Sequence, residues 1–218
     1  MIFSSHAFLF FFMPIVFIGY LILSKIGNKQ WMKVWLIIAS LFFYAQGSPS
    51  FLPWFVLTIL FNYVIGVLLL RYENNKALRT ILFAAGLIEN IGLLAYFKYT
   101  NFFIENVNRF AATSFSLRNI LLPIGISFFT FRFLSFINDV HKGRIKKISF
   151  VDFCVYAVFF PMLIVGPIVH YNPVASQLED SSTYKINKDN IAKGLFLLSI
   201  GCAKKILIAD PLIALAQN

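Results

Sequence analysis

Apolar side chains in this sequence are gathered into seven long runs, separated by short polar and basic segments: residues 7–23, 34–45, 51–70, 80–97, 119–137, 151–169 and 191–209. A helix crosses the hydrocarbon of a bilayer in about 20 residues, because each residue rises about 1.5 Å and the apolar layer is about 30 Å thick. Runs of this length along a 218-residue chain, with 59% hydrophobic and only 13% charged side chains, exclude a water-soluble core. The 27 Phe against 8 Pro and 11 Gly exclude a disordered or fibrous chain. The pattern predicts an all-α, polytopic transmembrane protein with six or seven spans or part-spans, forming one membrane domain over residues 1–218.

The run at 34–45 is too short to span and reads as a short or re-entrant helix. Gly47-Ser48-Pro49 marks a tight turn after it. Pro123, Gly125, Pro161, Gly166 and Pro167 interrupt the later runs, which predicts broken helices enclosed by protein or lining a cavity. The first run has no basic leader and no small-residue cleavage site, so it reads as a retained span rather than a signal peptide.

A net charge of +10 raises the question of nucleic acid. Its placement answers it, because Lys and Arg cluster between the runs, where they orient a membrane protein and meet anionic lipid head groups. No nucleic-acid partner is expected; the lipid bilayer is. Strict alternation puts ten Lys and Arg in segments 24–33, 71–79 and 139–149 against five in 46–50, 98–118 and 170–189. The first group is then cytoplasmic and the N-terminus outside. Cys154 and Cys202 lie within apolar runs and read as small buried hydrophobes, and no metal site is expected.

An ionisable group at membrane depth is costly, which marks Arg132 as a candidate. It either serves function or pairs with Glu89 or Asp139, or snorkels to a head group. Glu89-Asn90, flanked by Gly86 and Gly92, reads as a polar pair for helix packing. Asn138, Asp139 and His141 close the fifth run and His170 the sixth, where an ionisable side chain most simply meets water. No triad, phosphate loop or zinc spacing is present. An intramembrane Arg with broken helices also suits a channel or transporter.

Four stretches carry a resemblance: MIFSSHAFLF at residues 1–10, LPIGISFFTF at 122–131 followed by Asp139 and Lys142-Gly143, FFPMLIVGPIV at 159–169, and KKILIAD at 204–210. In order along nearly the whole chain, they resemble the membrane-bound O-acyltransferase (MBOAT) family, in its bacterial alginate O-acetyltransferase branch. The resemblance implies a multipass enzyme of the bacterial inner membrane. It would move an acyl group, usually acetyl, from a cytoplasmic donor to an exported polysaccharide, with periplasmic acetylation proteins as partners. The donor would be a substrate, and no bound cofactor is implied.

The family's catalytic His lies in its second half, beyond the position matching Asn218, so the catalytic residue is unassigned and the chain is expected to be the N-terminal half. None of His6, His141 and His170 falls at the catalytic position, and His170 stands where close relatives are expected to carry Arg. The resemblance leaves Arg132, Asn138 and Asp139 to orient the acyl path and hold charge. Pro123, Gly125, Gly166 and Pro167 would break the helices that present them, and His141 and His170 would be weaker contributors. Peptidoglycan O-acetylation and teichoic acid D-alanylation are alternatives within the class. From outside it, so is an inactive scaffold or a split half that needs a partner chain.

Overall fold

A computed structural model of the chain describes residues 3, 5–111, 113–164 and 166–216, and every regular element among them is helical. The chain forms two compact units, Met1–Met32 with Ser181–Asn218, and Lys33–Asp180.

In the first unit, a π-helical turn Ala7–Phe12 runs into α1, Met13–Ile26, which ends on Gly27 in the left-handed region at φ +75°. The turn Ser181–Tyr184 is tied to the end of this helix. Ser24 Oγ donates to the Tyr184 carbonyl at 2.7 Å, and Lys29 Nζ donates to Ser181 Oγ at 2.6 Å. Asn187 caps the N-H groups of Asp189 and Asn190 at the start of the helix Lys188–Lys204, which continues through a π-helical turn into Asp210–Ala216.

The second unit holds most of helix α2, Lys29–Gly47, then α3, Leu52–Arg71, and α4, Lys76–Leu94. A π-helical turn Ala95–Tyr99 carries α4 without a break into α5, Thr100–Ala111. After an irregular stretch come α6, Ile126–His141, α7, Phe150–Val158, the short α8, Phe160–Leu163, and α9, Tyr171–Glu179. The remaining helices are numbered α10, Lys188–Lys204, and α11, Asp210–Ala216.

Among the described residues, three continuous helices are long and apolar enough to cross a membrane: Ala7–Ile26, Pro49–Arg71 and Lys76–Ala111. The remaining apolar runs differ from unbroken spans for identifiable reasons. The run at 119–137 is irregular up to Pro123, and helix begins only after Gly125. The run at 151–169 stops at Val158, resumes for four residues and then unwinds, as Pro161, Gly166 and Pro167 require. Two expectations are corrected. The segment 98–118 is not a loop, since helix persists to Ala111, and the second run lies in a 19-residue helix that starts at Lys29.

Helix α6 is the centre of the second unit. Phe133, Phe136, Ile137 and Val140 are fully buried against Ile59, Ile65 and Leu69 of α3 and Phe153, Tyr156 and Ala157 of α7. Within a bilayer, close packing and interhelical hydrogen bonds replace the hydrophobic drive, so small residues at the contact matter. A Cβ on Gly66 would stand 2.7 Å from the Phe136 ring, and one on Gly86 would stand 2.6 Å from Ile137 Cδ1. These two notches let α3 and α4 receive α6. The helices α3 and α4 are joined by Asn90 Nδ2, which donates to Asn62 Oδ1 at 2.8 Å, both side chains being fully buried. Such a bond contributes roughly 0.5–2 kcal/mol.

Gly125 sits at φ +74°, and a Cβ there would meet the Leu163 carbonyl oxygen at 2.9 Å. Gly125→Ala therefore strains the backbone and pushes against backbone that cannot yield. Its expected cost is about 2 kcal/mol or more, read as a lower unfolding midpoint in detergent. An unchanged midpoint would show that the entry to α6 is not pinned by this contact.

Candidate functional site

The ends of α6 and α7 require partners, because the last carbonyls of a helix have no N–H to meet. Helix α7 stops short of Pro161, leaving the carbonyls of Tyr156 and Ala157 exposed in the interior. Arg132, 2% exposed, reaches across from α6 and donates Nη1 to both at 3.2 Å. Its Nη2 donates to the Met162 carbonyl. The guanidinium also lies 5.9 Å from the Tyr156 ring. The helix C-terminus carries partial negative charge, so carbonyls and an aromatic face hold this cation where a carboxylate would otherwise be needed. Among the described residues Arg132 forms no salt bridge, and neither Glu89 nor Asp139 is its partner. Glu89 is instead near Asn62 Nδ2, at 3.4 Å.

This clamp fixes the course of the chain beyond α7. Tyr156 Oη lies within hydrogen-bond distance of the Arg132 carbonyl at 3.0 Å and of the Val169 carbonyl at 3.2 Å. A Cβ on Gly166 would lie 3.1 Å from Met162 Cα, so the chain turns tightly there, before the Gly166-Pro167 pair. The strap 159–170 is thereby laid across α6, and it delivers His170 to the α6 face that carries Ser135 and Asp139, one helical turn apart.

Asp139 has 5% of its side chain exposed, whereas those of His170 and Arg144 are both 57% exposed. Its Oδ2 is 2.5 Å from His170 Nδ1, and its Oδ1 accepts from Arg144 Nη1 at 3.0 Å. Ser135 Oγ lies 3.2 Å from the same His170 nitrogen. At this distance a hydrogen bond joins the Asp139 carboxyl to Nδ1 of the His170 ring. The Arg144 N–H donates to the Asp139 carbonyl at 2.9 Å, in a turn that Gly143 closes at φ +70°. Asn172 Nδ2 of α9 donates to the Arg144 carbonyl at 2.8 Å.

Of the candidates named from sequence, the structure therefore brings Asp139 and His170 into direct contact and places Arg132 one layer away, holding the strap. Asn138 is half-buried, and its side chain makes no hydrogen bond among the described residues. His141 stacks on Phe83 with ring centroids 4.2 Å apart, and its Nδ1 is buried without a partner. Burial, then the charges of Arg79 and Lys142, pushes its pKa down. Arg79 Nη2 caps the end of α6, donating to the Val140 and His141 carbonyls at 3.3 and 2.5 Å. Pro123 and Gly125 open α6, and Gly166 and Pro167 shape the strap. Arg144 lies in the basic segment 139–149, and its place three residues after His141 gives no hint that it holds Asp139.

The model of the MBOAT, membrane-bound O-acyltransferase family matches residues 127–218, a stretch that contains Arg132, Ser135, Asp139, Arg144 and His170. Among the known proteins it resembles is the Peptidoglycan O-acetyltransferase of Helicobacter pylori, 36% identical over 96% of this chain and 45% of that protein. The Probable alginate O-acetylase AlgI of Pseudomonas aeruginosa is 36% identical over 100% of this chain and 42% of its own length. That of Azotobacter vinelandii is 34% identical, over 100% of this chain and 43% of its length. The chain belongs to the membrane-bound O-acyltransferase family, in its N-terminal part. It spans less than half the length of the curated relatives it matches. No solved structure matches it. A membrane-embedded, multi-pass, all-α chain in a lipid bilayer follows from this membership together with the apolar helices.

Proposed function

We propose that this chain is the N-terminal membrane domain, residues 1–218, of an O-acyltransferase that moves an acetyl-type group onto a hydroxyl of an exported polysaccharide. The observation that carries this reading is the identity to acetyl-transferring relatives along the whole chain, 36% to both the peptidoglycan and the Pseudomonas aeruginosa alginate protein. The motif wording at 122–131 and 159–169 favours an alginate-like acceptor, with peptidoglycan as the alternative. The enzyme sits in the bacterial inner membrane; the strict alternation of segments that put the N-terminus outside does not hold once helix runs through 98 to Ala111 and Asp139 meets His170. The activated acetyl donor is a substrate, no cofactor is held, and periplasmic acetylation proteins take the product onward.

In this reading Arg132 keeps the strap in place, Asp139 holds charge beside the acyl path, and Asn138 offers an uncommitted amide at its edge. Acetyl ester carried by exported polysaccharide is the readout, in cells that make the protein against cells lacking it. Gain of ester supports an O-acetyltransferase. Equal ester at equal protein level would favour a scaffold and contradict the proposal.

A further inference from the structure

Where α3 meets α4, a small polar network has spent all of its hydrogen-bond donors. Asn62 lies about 15 Å from either end of α3, at mid-depth of a membrane-length helix. Its Nδ2 donates to the Thr58 carbonyl at 2.9 Å and faces Glu89 Oε2 at 3.4 Å. Asn90 Nδ2 donates to Asn62 Oδ1 and to the Gly86 carbonyl, at 2.8 and 2.9 Å. The Thr58 hydroxyl, within reach of the Glu89 carboxyl, has a single hydrogen, and it meets the Trp54 carbonyl at 3.0 Å. Acceptors are left over. Asn90 Oδ1 is buried without a partner, and no described group donates to Glu89 Oε1. At hydrocarbon depth there is no bulk water to make up the deficit.

Beside the carboxyl lies a groove of about 530 Å³, lined by Trp54, Leu57, Phe61 and Val64 of α3 and by Leu93 and Glu89 of α4. Trp54, Leu57 and Val64 are 60, 56 and 50% exposed, so no described residue covers its walls. A lipid tail would suit those walls but brings no donor to the carboxyl. A second copy of this face would bring the same excess of acceptors. A helix with an apolar surface and one donor side chain satisfies both walls and carboxyl. We propose that this groove docks a membrane-spanning helix that presents an amide or ammonium side chain to Glu89 at mid-depth. The donor meets Glu89 Oε1 while the apolar side chains around it fill the groove. Interhelical hydrogen bonds of this kind select partners within a bilayer, where an ionisable side chain needs a polar neighbour. Docking at this groove does not depend on acyl transfer.

The decisive experiment places the purified full chain in phosphatidylcholine vesicles with synthetic leucine–alanine helices of about 20 residues, long enough to span. Each helix carries Asn, Lys or Leu at its centre. Dicyclohexylcarbodiimide, an apolar reagent for carboxyls at membrane depth, labels Glu89, and peptide mass spectrometry follows the rate. Without a helix Glu89 is expected to react, whereas Asp152, closed off against Lys33, is not. The Asn and Lys helices are expected to slow Glu89 at least about threefold relative to the Leu helix, the lower range for one interhelical hydrogen bond. Energy transfer from tryptophan to a dansyl group on the helix reads binding directly. There the wild type is expected to prefer the Asn and Lys helices, and Glu89→Leu to bind all three alike.

Equal labelling of Glu89 with the Asn, Lys and Leu helices overturns the docking site and leaves lipid as its cover. A Glu89 that reacts only after dilution into excess lipid overturns it in favour of a second copy. A Glu89 that stays unreactive without any helix overturns it as well, because the groove is then closed. These three outcomes need no variant, so misfolding of Glu89→Leu cannot hide the answer.

Discussion

Arg132→Met is expected to be among the most damaging single substitutions in the second unit. Methionine fills much of the same volume but offers no donor, so the Tyr156, Ala157 and Met162 carbonyls lose their partner inside the protein. An unsatisfied buried polar group costs about 1–3 kcal/mol, so the loss is expected to reach about 3–5 kcal/mol. Arg132→Lys restores a cation with a different donor geometry and is expected to recover only part of it. Thermal or denaturant unfolding in detergent checks this. A methionine variant as stable as the wild type would show that the clamp does not hold the strap.

The second large effect belongs to Lys33 and Asp152. Their Nζ and Oδ1 are 2.5 Å apart, and their side chains are 7% and 5% exposed. Asp152 is also in the first turn of α7, behind the Ser149 cap, where its negative charge suits the helix dipole. Lys33→Met leaves that carboxylate buried and unpaired, at an expected cost of about 3–5 kcal/mol. Adding Asp152→Asn removes the stranded charge, and the double variant is expected to be more stable than Lys33→Met alone. A double variant less stable by the sum of both single losses would mean that the two residues act independently.

These residues show where the sequence could be read and where it could not. Arg132 announces itself, because a cation in an apolar run is costly wherever it lies. Its partners do not, because carbonyls become available only where α7 happens to stop, more than twenty residues later. Asp139 and His170 were each visible at the end of a run, and each alone looked like a side chain meeting water. Their contact depends on the strap folding back over 31 residues, which no local pattern encodes.

In sequence Lys33 is one basic residue among several in segment 24–33, although it is buried and paired across 119 residues. The helix through 100–111 was missed because its Asn, Glu and Arg residues resemble a loop when counted rather than placed on a helical face. The broken runs were legible, since Pro123, Gly125, Pro161, Gly166 and Pro167 act through the backbone and need no distant partner. The all-α membrane class was legible for a similar reason, being fixed by length and apolarity alone.

The central claim is that the α6 face where Asp139 meets His170 serves the acyl transfer proposed for this chain. Membranes containing wild-type protein, His170→Asn or Asp139→Asn, at equal protein levels, are to be given a labelled acetyl thioester and an alginate oligosaccharide, and labelled ester counted. The account predicts transfer by the wild type and a fall of at least about tenfold in both variants, the scale on which losing an orienting partner acts. Transfer by both variants at the wild-type rate would contradict it.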